Sequence, residues 1–70
     1  MTTEALSVIL YLGVICSPCS YTEVEIENIY DDNQTEILDI KDDEGYLNQV
    51  VNEYEDQTEQ VSIDEDYDEN

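Results

Sequence analysis

The chain has 70 residues, with 20 Asp or Glu against one Lys, no Arg and no His, for a formal charge of −19 at pH 7. Nucleic acid is held by cations that neutralise phosphates, and Lys41 alone cannot supply them, so direct nucleic-acid binding is excluded; an anionic membrane surface repels the chain for the same reason. Catalysis is equally under-provisioned, with no imidazole, no guanidinium and too little chain to enclose a deep dry pocket, so neither enzyme activity nor a cofactor is expected.

A hydrophobic content of 40%, with six Tyr and no Phe or Trp, allows one thin core capped by tyrosines whose hydroxyls stay wet. Charge opposes that core. Some 170 pairwise repulsions across roughly 19 Å, screened over a Debye length of about 8 Å, leave an upper bound of about 3–4 kcal/mol at physiological salt. That rivals the whole stability of a small domain, so the fold is expected to firm up with salt or with a cationic partner. The charge is also uneven: residues 1–22 hold one acid, Glu4, and residues 23–70 hold the other nineteen.

The first element is the apolar run of residues 5–16, ALSVILYLGVIC. It is too short to span a membrane and lacks the basic start of a signal peptide. A helix would use Thr2 or Thr3 as N-cap and Gly13 just past its end. A buried strand is favoured by Val8, Ile9, Tyr11, Val14 and Ile15, and the strand is the preferred reading. Ser17-Pro18-Cys19-Ser20 follows as a turn, with Pro18 in its second position.

Residues 21–30 then alternate, with Thr22, Val24, Ile26 and Tyr30 on one side and Glu23, Glu25 and Glu27 on the other. Period two with one apolar side predicts a half-solvated strand, paired as a hairpin with residues 5–16. Asp31-Asp32-Asn33-Gln34 is a loop by composition. Residues 35–41 predict a third strand with Leu38 and Ile40 inward and Ile37 only half accounted for. Asp42-Asp43-Glu44-Gly45 is a second polar break, placing acids where a helix N-terminus welcomes them. From Tyr46 the apolar steps become three and four (Leu47, Val50, Val51, Tyr54), which predicts an amphipathic helix over 45–58 with Asn48, Asn52, Glu55, Asp56 and Glu59 on its polar face. The expected fold is therefore α+β: a small antiparallel sheet of about three strands packed with one amphipathic helix. Residues 1–63 form a single acidic domain, and 64–70 form an acidic tail expected to be disordered.

Cys16-Ser-Pro-Cys19 is a CxxC without company. A structural zinc site wants four N or S ligands, and only a dimer or carboxylates would complete this one. A redox pair wants a helix N-terminus or a cation to hold a thiolate, which a −19 field disfavours. The favoured reading is two small residues beside a tight turn; redox, disulfide and metal roles stay open. Asp64, Asp66 and Asp68 give the first beat of a calcium loop, but Asn70 ends the sequence where its Gly and Glu should follow, so no metal site is assigned. Paired carboxylates at glycosidase spacing carry no specificity among so many acids.

The charge itself invites a functional reading. Duplex DNA carries one charge per roughly 1.7 Å of axis, so about 30 Å of it presents some 17 or 18 phosphates, close to the net charge of this chain. Alternate residues on a strand lie roughly 6.7 Å apart, and a row such as Glu23, Glu25 and Glu27 would suit phosphate pockets. Glu55 and Glu59, one helical turn apart, extend the row. Asp31, Asp32, Asp42, Asp43, Glu44 and Asp56 complete the candidate partner-binding face.

In size, near absence of basic residues and acidic elements around a small core, the chain resembles the DNA-mimic inhibitors of phages and other mobile elements. These include anti-restriction proteins, uracil-DNA glycosylase inhibitors and several anti-CRISPR proteins; the anti-CRISPR proteins are the most similar in size. The group shares no motif, so no residue role carries over. The resemblance implies a basic DNA-binding protein or nucleoprotein complex as partner, foremost a CRISPR effector complex in the cytoplasm of a bacterial host, met by a monomer or small homodimer. It implies inhibition by occlusion, with the acidic face docked on Lys and Arg that otherwise hold phosphates and Tyr21, Tyr30, Tyr46 or Tyr54 as apolar anchor. The rival reading is an acidic interaction segment or chaperone for basic proteins that folds only on contact.

Overall fold

The computed structural model describes residues 2–64. In chain order these form α1 (Thr3–Leu12), β1 (Ser20–Thr22), α2 (Glu23–Asp32), α3 (Gln34–Lys41), α4 (Glu44–Thr58) and β2 (Ser62–Asp64). The expected three-stranded antiparallel sheet is overturned: the described chain is mostly helical, and its one sheet is a two-stranded parallel pair.

The apolar run is a helix, not a strand. Thr2 Oγ1 accepts from the Ala5 amide at 3.2 Å. At the other end Gly13 takes φ 79°, its amide donating to the Leu10 carbonyl at 3.0 Å while Val14 donates to Ile9 at 3.3 Å. That paired closure needs a left-handed residue, which glycine alone adopts without cost. The β-preference of Val and Ile is mostly a preference for packed surroundings, and α1 supplies them: Leu6, Ser7, Val8, Ile9 and Leu10 are all buried. A helix buried on nearly every side is apolar all round. It packs chiefly on α4 and also on α3.

The alternating segment is also helical from Glu23 onward, Tyr21 and Thr22 belonging to β1. Thr22 and Glu25 form a reciprocal cap: the Glu25 amide donates to Thr22 Oγ1 at 3.1 Å, and the Thr22 amide donates to Glu25 Oε1 at 2.9 Å. Two of the helix's orphan donors are satisfied at once. The alternation of Val24 and Ile26 lasts only a few residues; Ile26 is buried while Val24 is 49% exposed. The helical steps from Ile26 to Ile29 and Tyr30 decide which face turns inward.

The expected loop at residues 31–34 shrinks to Asn33, which joins α2 to α3. Its Nδ2 donates to the Ile29 carbonyl at 2.8 Å, and its own carbonyl accepts the Ile37 amide at 3.0 Å. The third predicted strand is α3: Ile37 and Ile40, three apart, are buried, and Leu38 points outward at 53% exposure. Asp43 caps α4 by accepting from the Tyr46 amide at 3.3 Å. That helix matches the sequence reading closely, with Val50 buried and Leu47, Val51 and Tyr54 half-buried.

The parallel pair aligns Ser20 with Ser62, Tyr21 with Ile63 and Thr22 with Asp64. Parallel strands need a long crossover, and α2, α3 and α4 provide it. Ahead of β1, Cys16 and Cys19 are joined by a disulfide with Cα atoms 5.5 Å apart, so the pair is bridged rather than merely adjacent. The turn between them contains the cis Ser17–Pro18 peptide and is pinned to the end of α4 and the start of β2: Ser17 Oγ donates to the Gln57 carbonyl at 3.1 Å, and the Ser62 amide donates to the Cys19 carbonyl at 3.0 Å. Asp64, expected to open the tail, closes β2; the expectation of disorder for 65–70 lies outside the described residues, as do Asp66 and Asp68.

Candidate functional site: an acidic surface and a tyrosine groove

Every Asp and Glu among the described residues is exposed. One Lys cannot neutralise such a set, so the surface is an uncompensated anionic shell on a helical frame. Lys41 points its Nζ at the Tyr30 hydroxyl, 3.3 Å away.

The expected straight row Glu23, Glu25, Glu27 does not form, because on a helix each residue turns about 100°. Glu23, Glu27 and Asp31 instead make one stripe along α2, stepping about 6 Å per four residues. Glu25 and Asp32 fall on the opposite flank of the Ile26 line, and Glu25 is engaged with the Thr22 amide. Asp42 and Asp43 occupy the α3–α4 turn, Glu44 begins α4, and Glu55, Asp56 and Glu59 follow near its end. Glu55 and Glu59 keep their one-turn separation. These carboxylates therefore lie on different elements, and the α2 stripe is the longest regular row among them.

The four candidate anchor tyrosines divide by exposure. Tyr21, Tyr30 and Tyr54 are half-buried, and the Tyr21 hydroxyl accepts the Cys16 amide at 3.0 Å. Tyr46 is 37% exposed, as is Tyr11, which the sequence reading left inside its apolar run. Their hydroxyls share a hydrogen bond. Their rings meet edge to face at 5.8 Å, and Tyr54 closes on Tyr11 at 6.0 Å. The hydrogen bond its hydroxyl makes with Tyr11, then desolvation, then the nearness of the Tyr11 phenol raise the pKa of Tyr46, so its hydroxyl stays protonated throughout the neutral range.

Beside this pair runs a groove of about 290 Å³ between α1, α3 and α4, lined by Tyr11, Leu12, Glu36, Asp39, Ile40 and Tyr46. A smaller hollow of about 180 Å³ lies on the α4 side, where Gln49 and Glu53 join the same two tyrosines. Sequence reasoning missed Tyr11, Glu36, Asp39 and Glu53. Glu36 and Asp39 share a flank only when residues 34–41 are helical, and Tyr46 and Glu53 are two turns apart on α4, a spacing open to view.

Among the described residues no three Cys, Asp or Glu side chains converge as a metal site, and no helix is long and apolar enough to cross a membrane. Compared with protein-family models, curated proteins and solved structures, the chain matches none.

Proposed function

We propose that the protein is a DNA-mimic inhibitor that occludes the basic DNA-binding surface of a host defence or DNA-processing protein, with a CRISPR effector complex as the leading target. The observation that carries this reading is that every described Asp and Glu is exposed on a mostly helical frame around an apolar core. A net charge of a few units suffices for solubility; an excess this large weakens the fold and finds its use in long-range attraction to a cationic groove. The stripe Glu23, Glu27, Asp31 supports the mimicry in a helical form, its steps of about 6 Å replacing the strand spacing of about 6.7 Å.

An affinity pulldown from bacterial lysate, with and without competing duplex DNA, tests the reading. The expected result is capture of a DNA-binding protein that duplex DNA releases; capture indifferent to DNA overturns it. Combined reversal of Glu23, Glu27 and Asp31 to Lys is expected to abolish capture while leaving the thermal melt cooperative. Glu25 is spared because its carboxylate caps α2. A cooperative melt of the free chain also separates this reading from an acidic segment that orders only on contact.

A further inference from the structure

We propose that the groove between α1, α3 and α4 is a receptor for one arginine side chain of the protein's basic partner. The inference rests on the reading of the protein as a ligand for cationic surfaces and assigns the point at which recognition becomes specific. Volume is the first argument. Pockets that enclose small-molecule ligands run from about 300 to 1,000 Å³, and this groove, at about 290 Å³, suits a single side chain.

Chemistry is the second argument. Leu12 and Ile40 offer apolar contact to a methylene stem, Tyr11 and Tyr46 contribute aromatic rings, and the acidic Glu36 and Asp39 complete the lining. A planar guanidinium stacks on aromatic rings and forks two N–H groups toward a carboxylate, which an ammonium cannot do. The opposite charge of the protein is absent from this flank: Lys41 lies on the other side of α3, engaged with Tyr30.

Preorganisation is the third. The Tyr11–Tyr46 hydrogen bond and the packing of Tyr54 on Tyr11 fix both rings before any partner arrives. An arginine entering the groove therefore meets walls already in place, and less ordering is lost on binding. The stripe Glu23, Glu27 and Asp31, by contrast, lies on the exposed face of α2, where each single ion pair contributes little.

The test uses the full chain, isotope-labelled for NMR, titrated with a capped tetra-arginine peptide and separately with tetra-lysine at about 0.15 M salt. The expected result is localised shifts at Tyr11, Ile40 and Tyr46 with arginine bound more tightly than lysine. Glu36→Gln with Asp39→Asn is expected to weaken the arginine peptide about fivefold, and Tyr46→Leu to erase the preference for arginine, whereas Glu23→Gln with Glu27→Gln changes affinity less than about twofold. Shifts spread over all acidic helices, equal affinity for both peptides, or equal losses in the two double variants overturn the groove proposal. Those outcomes leave the DNA-sensitive pulldown untouched, so the groove and the inhibitor reading fail separately.

Discussion

Helices α1 and α2 are both ten residues long, yet they divide the work of the molecule between them. One contains a single acid, Glu4, and buries five consecutive residues; the other contains Glu23, Glu25, Glu27, Asp31 and Asp32 and fully buries only Ile26. The difference teaches that cohesion and charge are held in separate places. A chain whose repulsion rivals its stability tolerates its acids because few of them stand on the element that organises the core.

Breaking the cohesive side should have the largest effect. Ile9, with no exposed surface, is expected to cost about 2–5 kcal/mol on substitution by Ala, read as loss of the cooperative melt or a large fall in the urea midpoint. The charged side is sharpened by salt. Raising it from about 150 to 500 mM should add up to about 3 kcal/mol as the carboxylates are screened, measured as a rising Tm; a flat Tm would refute the estimate of repulsion. A smaller effect belongs to the boundary between the two regions. Thr22→Ala removes the reciprocal cap of α2 and should cost about 1 kcal/mol, visible in denaturant melts with unchanged slope.

The smallest effect concerns the tyrosine pair. Because the folded state raises the pKa of Tyr46, the Tyr11–Tyr46 bond contributes fully below the ordinary phenol value near 10 and is lost as pH climbs through the higher folded value. Phenolate absorbance should therefore show Tyr46 titrating above the ordinary phenol value, a contribution that Tyr46→Phe should remove.

Only part of this arrangement was legible in the residues. Helix α4 was, because Leu47, Val50, Val51 and Tyr54 keep helical steps without a rival pattern. Helix α1 had both its caps in view, Thr2 and Gly13, but its Val and Ile content spoke for a strand until burial of Leu6 to Leu10 outweighed local preference. In α2 the Glu–Val–Glu–Ile alternation imitated period two, while Thr22-x-x-Glu25 was the stronger signal and marked a helix start. The α3 boundary was hidden because a single Asn makes the joint. The tyrosine groove needs three helices together, so no local pattern announces it; its local trace is the three-residue step from Glu36 to Asp39, which puts both on one flank only once residues 34–41 are helical.

The parallel pairing of β1 with β2 ties the last described residues to the segment ahead of α2. Scission in the turn between Asp42 and Asp43 would leave two fragments that share both a helix–helix contact, α4 on α1, and a strand clasp. Such pieces have the ingredients for mutual reassembly. The molecule thus lends itself to use as a split reporter whose halves are joined at two separate seams.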